Sequence, residues 1–116
     1  MSKTVRLEKP DGQVVCERCL LAETPFARMR GLLGRRSLGS EEGILLRPAA
    51  SIHTWFMRFP IDAVFVDREL AVVDVAASVK PWRTRARRGA HAVVELAAGE
   101  AERRRLRPGD RLVAAS

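Results

Sequence analysis

The chain has 116 residues, 47% apolar and 30% charged, which is enough to bury a core without help from metal or disulfides and too apolar for a disordered segment. No apolar run approaches the roughly 20 residues that a membrane-spanning helix needs, and the opening MSKTVRLEKPDGQ lacks the apolar centre of a secretory signal, so a cytoplasmic location is expected. Eighteen Arg and three Lys against 14 acids give a formal charge of +7 and a pI near 10.9, which favours an anionic partner, although a lean towards Arg also arises from genome composition.

No linker, repeat or low-complexity segment divides the chain, so residues 1–116 read as one domain. Residues 4–9 and 14–21 read as strands joined at the turn signal Asp11-Gly12. A helix is expected over 24–34, with Thr24 as N-cap, Pro25 at the first helical position and Phe26, Met29 and Leu33 on one face. Gly34 ends it, and Gly31 inside it implies close approach of another backbone. Strands follow over 44–47, 52–57, 61–66 and 70–77, the last two joined by Asp67-Arg68-Glu69. Beyond Pro81, residues 92–97 read as strand and 99–106 as a short helix with acids early and Arg103 to Arg105 late, complementing the helix dipole. Pro108-Gly109-Asp110 turns into a final strand over 111–114. The pattern predicts a mainly β, β-rich α+β fold, a sandwich or barrel-like sheet with one or two short helices.

Chemistry-bearing groups concentrate in HTWFMRFPIDAVFVD, residues 53–67, where His53, Thr54, Asp62 and Asp67 stand in the most apolar part of the chain. A buried polar group needs a partner, so the stretch is either a hydrogen-bonded corner or the wall of a binding site. Strand alternation would put His53, Trp55 and Met57 on one face and Thr54 and Phe56 on the other.

The ordered set MRGLLGR (29–35), EGILL (42–46), HTWFMRFPIDAVFVD (53–67), VVELAAGEAER (93–103) and RPGDRL (107–112) resembles the domain-of-unknown-function 192 family over about residues 20–114. The resemblance implies a compact, mostly β domain of bacteria and archaea, often exported, with no established activity. Many members carry a Trp-Met-Lys-Asn-Thr type motif where this chain has Trp55-Phe56-Met57-Arg58-Phe59, so a Lys/Asn pair is replaced by Arg58 and Phe59. Many also carry an export signal, which is not seen here, so their location is not carried over. The matching motif keeps an acid at Asp62, which makes Asp62 the first candidate for a site residue.

Two readings of Asp62 and His53 stand side by side. They line a small-ligand pocket with Trp55, Met57 and Arg58, or Asp62 caps the Pro60 turn or accepts backbone N–H groups while His53 is a satisfied core histidine. Cys16 and Cys19 form a C-x-x-C, but in an extended strand their Cα atoms would be about 10 Å apart on opposite faces, beyond the roughly 7 Å limit for a disulfide, and no second ligand pair completes a zinc site. Two separate thiols and no metal or cofactor are therefore expected. Arg83, Arg85, Arg87 and Arg88 beside Trp82, with Arg103 to Arg105 and Arg107, are candidate anion-binding residues or a solvated loop surface. No phosphate loop, Rossmann glycine pattern, nucleophile elbow or zinc-protease motif is present. The leading expectation is a non-enzymatic domain that binds a small molecule or a protein. The alternatives are a small hydrolase or lyase using Asp62 and His53 as acid and base, and a basic module for nucleic acid or an anionic surface.

Overall fold

Apolar alternation and turn-forming pairs divide the chain into short strands, as a computed structural model covering residues 3–24, 27–28 and 31–115 shows. In chain order they are β1 (Thr4–Glu8), β2 (Val14–Ala22), β3 (Glu42–Leu46), β4 (Ser51–His53), β5 (Ile61–Val66), β6 (Val72–Val79), β7 (Thr84–Ala86), β8 (Ala92–Ala97), helix α1 (Glu100–Arg103) and β9 (Val113–Ala115). Seven strands form one mixed sheet in the order β6-β5-β8-β3-β2-β1-β9, while β4 and β7 pair separately. The fold is mostly β, as expected. The large sheet curls nearly shut: just before β9, Leu112 N–H donates to Leu70 O at 2.9 Å and Val72 N–H to Asp110 O at 2.7 Å, joining the β9 end to the β6 edge. Closure of this kind covers edges that would otherwise be open to further strand pairing.

The central strands β5, β8 and β3 are buried on both faces, which is why they read as continuous apolar runs rather than as alternation. Val64, Val66, Ala92, Val94 and Leu96 face one core together with Leu7, Val15 and Leu112. Ile61, Ala63, Phe65 and Val93 face the other, with Leu32, Ile52 and Met57. Gly43 on β3 belongs to this tight packing, since a Cβ there would stand 2.9 Å from both Cys16 Sγ and Glu95 O.

Four expectations need correction. First, Thr24 does cap a helical turn, its Oγ1 accepting from Ala27 N–H at 3.1 Å, but the turn ends at Gly31 with φ 45°, before Gly34. A Cβ on Gly31 would meet only Arg28 O, at 3.6 Å, so positive φ rather than close backbone packing accounts for the glycine. The expected helix positions Pro25, Phe26, Met29 and Arg30 lie outside the described residues.

Second, strand 52–57 stops at His53. Third, residues 84–86, which read as solvated loop, form β7; the segment lacks an apolar alternation, and its pairing with β4 makes it a strand. Fourth, Cys16 and Cys19 share one core rather than opposite faces. Val5 pairs with Cys19 and Leu7 with Cys16, so three residues of β2 span two of β1, and that bulge turns both thiols inward.

Candidate functional site

Thr54 shapes the region that the sequence singled out. It is fully buried, and its hydroxyl donates to Lys80 O at 2.6 Å while accepting from Arg83 N–H at 2.9 Å. Its backbone N–H donates to Arg83 O, and its carbonyl accepts from Trp82 N–H and Met57 N–H. This latch ends β4, turns Trp55 and Phe56 outward and returns Met57 to the core.

Beside that turn lies a cavity of about 350 Å³, bounded by residues 28, 31–33, 46, 48–53 and 57, with Glu95 among its walls and Arg28, Ser51 and His53 as its other polar lining residues. Glu95 stands on the second face of β8, between Val93 and Ala97, with Ile44 of β3 and Ala63 of β5 as its cross-strand neighbours. Both flanking positions are occupied by strands, so its carboxyl cannot escape sideways to water. The residue is 4% exposed, and burial pushes its carboxyl up to about 8. Among the described residues no donor reaches that carboxyl, yet no fully enclosed side-chain nitrogen or oxygen lacks a partner. Glu95 is among the residues that line the cavity, where its polar end can be solvated or meet a ligand.

The candidates from the sequence are distributed differently. Met57 and His53 line the cavity, with the His53 ring 5.1 Å from that of Trp55. Trp55 and Arg58 are exposed and do not line it. Asp62 lies on the other face of the sheet, 1% exposed. Its Oδ1 accepts from Ser78 N–H at 2.8 Å, and its Oδ2 accepts from Gly99 N–H at 3.0 Å and Ala101 N–H at 2.9 Å. Backbone groups thus occupy both oxygens, and the structure brings Asp62 and His53 into no mutual hydrogen bond. An acid and base that do not meet, with the acid dry and saturated, form no catalytic pair.

The two basic clusters also separate. Arg83, Arg85, Arg87 and Arg88 are exposed. Arg104 is 6% exposed and donates to Val14 O, Ser40 O, Glu17 and Glu100, every contact between 2.7 and 3.2 Å. It is a structural hub rather than an anion contact. Glu100 and Glu17 are each held below the usual carboxylate range, Glu100 mainly by its hydrogen bonds to Arg103 and Arg104, and Glu17 by Arg104 against the opposing pull of desolvation.

The two buried thiols lie in one core, and their mutual influence lowers Cys16 and, together with burial, raises Cys19. Among the described residues no group of three His, Cys, Asp or Glu is placed to hold a metal ion. No helix there is long and apolar enough to cross a membrane.

Sequence reasoning passed over Glu95. Its signal was present in AVVELA, where a single acid interrupts a run buried on both faces.

A nearly closed mixed sheet with a cavity beside its small two-stranded sheet defines a small β-rich domain. The chain belongs to the family described as DUF192, Uncharacterized ACR, matched over residues 6–114. A UPF0127 protein of Thermococcus sibiricus is 36% identical over 81 residues, covering 66% of this chain and 52% of that protein, so the chain spans about half the length of that relative. Among solved structures, a protein of unknown function from Novosphingobium aromaticivorans superposes with a TM-score of 0.82 at 29% identity, covering 97% of this chain and 84% of the other. A Sinorhizobium meliloti protein for which a role in transcription regulation has been suggested superposes with a TM-score of 0.85 at 25% identity, covering 98% and 94%.

Proposed function

We propose that this domain binds a small, largely apolar molecule in the cavity beneath the β4–β7 flap, with one polar group of the ligand meeting Glu95. The observation that carries this reading is Glu95, buried in the middle of a sheet, without a donor to its carboxyl among the described residues and lining that cavity. Burying such a group is costly unless something completes its hydrogen bonds. A carboxyl kept protonated near neutral pH both donates and accepts, so an amide or an alcohol suits it. Leu32, Leu46, Ile52 and Met57 supply apolar contact, and Arg28, Ser51 and His53 add polar lining that a second polar group of the ligand can meet. Binding is favoured over catalysis because the acid has no hydrogen-bonded base or nucleophile beside it.

The test is a thermal-shift screen of small amides and alcohols on apolar frames against wild type and Glu95→Gln, followed by calorimetry. Compounds that stabilise wild type should lose at least tenfold in affinity with Glu95→Leu, and the isosteric Glu95→Gln should retain part of it. Hits whose affinity is indifferent to both changes would place the ligand elsewhere and defeat the reading.

A further inference from the structure

The positive charge of this protein is localised. Residues 47–61 and 75–91 hold Arg47, Arg58, Lys80, Arg83, Arg85, Arg87 and Arg88 and no Asp or Glu, so these seven cations equal the net +7 while the other 14 cations balance the 14 acids. The β4–β7 pairing, the Thr54 latch and the Arg87 N–H to Ala50 O bond at 3.0 Å join the two segments. Two of the seven have acidic partners, Arg47 with Glu23 at 2.8 Å and Arg87 with Asp74 at 4.0 Å. Among the described residues, the guanidinium groups of Arg83 and Arg85 donate only to backbone carbonyls of residues 81, 82 and 84.

The same surface exposes Trp55 by 47%, Phe56 by 69% and Trp82 by 57%, and these are three of the four large apolar residues exposed among the described residues. Phe56 and Trp82 meet edge to face, with centroids 4.7 Å apart, an arrangement that leaves ring faces open. Both have φ 65°, a backbone conformation that is strained for a bulky residue. Core packing does not require that strain, because the rings point into water. The Thr54 hydrogen bonds hold them there.

We propose that this face binds single-stranded nucleic acid, with bases stacking on Trp82, Phe56 and Trp55 and phosphates held by Arg83, Arg85 and Arg88. Exposed aromatic faces beside guanidinium groups recognise a flexible chain of bases and phosphates without needing a groove. Alternate residues of an extended strand lie about 6–7 Å apart, so Arg85 within β7 and Arg83 just before it stand at a spacing close to that of successive phosphates, and a linear polyanion matches that spacing better than a diffuse anionic surface does. The face is separate from the Glu95 cavity in its chemistry, and its test does not depend on that site.

The experiment measures fluorescence anisotropy of a labelled single-stranded oligonucleotide of mixed sequence, together with quenching of tryptophan emission, at physiological salt. Inorganic polyphosphate and phosphatidylglycerol vesicles are the competing probes. The expected result is binding with quenching, weakened on the order of tenfold by Trp82→Ala and by Phe56→Ala. An Arg83→Gln/Arg85→Gln double variant should reduce the slope of log affinity against log salt by about 1.4. Glu95→Gln should bind like wild type. Equal competition by polyphosphate with no loss in Trp82→Ala would reduce the face to unspecific charge and overturn the proposal. Vesicle binding without oligonucleotide binding would assign it to membranes instead. Melting curves of each variant confirm that these exposed changes leave the fold intact.

Discussion

Asp62 and Glu95 stand on adjacent strands one residue out of register, Asp62 opposite Leu96 and Glu95 opposite Ala63, so their carboxyls leave the sheet on opposite faces. On one face Asp62 meets three backbone N–H groups. On the other, Glu95 meets a cavity. Two acids of similar burial therefore have different surroundings: one ties α1 and the irregular end of β6 at Ser78 to its own strand, and the other lines a cavity.

Asp62→Asn should lower stability by about 2 kcal/mol, because an amide keeps one acceptor but turns a donor towards N–H groups that already need acceptors. Urea unfolding followed by circular dichroism measures this. Cavity ligands and oligonucleotides should bind the variant as they bind wild type at temperatures where it is folded. An Asp62→Asn protein as stable as wild type would remove the structural role given to the acid.

The pH dependence of stability should carry the signature of Glu95. Its folded-state carboxyl titrates near 8 and its unfolded-state carboxyl near the ordinary 4.5. Between those values the unfolded chain loses a proton that the folded chain keeps, so the contribution is fully present below about pH 4.5 and is lost as pH rises towards 8. The loss is of the order of a few kcal/mol. Urea midpoints measured from pH 5 to 8 should fall in wild type and fall distinctly less in Glu95→Gln. Parallel profiles for the two proteins would mean that Glu95 is already ionised when folded.

Arg104→Ala should cost about 3 kcal/mol, since it strips partners from Glu100, which is 9% exposed, and from the carbonyls of Val14 and Ser40. Arg105→Ala, an exposed neighbour, should stay within about 0.5 kcal/mol of wild type. Comparing the two separates a buried network from surface charge. Similar chemical denaturation curves for the pair would contradict it.

Much of the fold was legible because it rests on local signals. Strands β5 and β8 follow from apolar runs bounded by turn formers, and the Asp11-Gly12 hairpin and the Pro108-Gly109-Asp110 turn appear where their residues dictate. The family, too, was readable from ordered motifs. Other features came from contacts distant in sequence. β7 has no apolar period and becomes a strand because β4 pairs with it and Thr54 bonds to Arg83 just before it, some 30 residues away. The bulge that turns Cys16 and Cys19 to one side arises from pairing with β1, which strand alternation cannot anticipate. The acids show the division most plainly. Sequence marked Asp62 as an acid in an apolar row and passed over Glu95 as one letter in a motif. What each carboxyl meets was decided by what covers each face of the sheet: a helix start with N–H groups to donate over Asp62, and over Glu95 a cavity of mixed lining from which no described group donates to it.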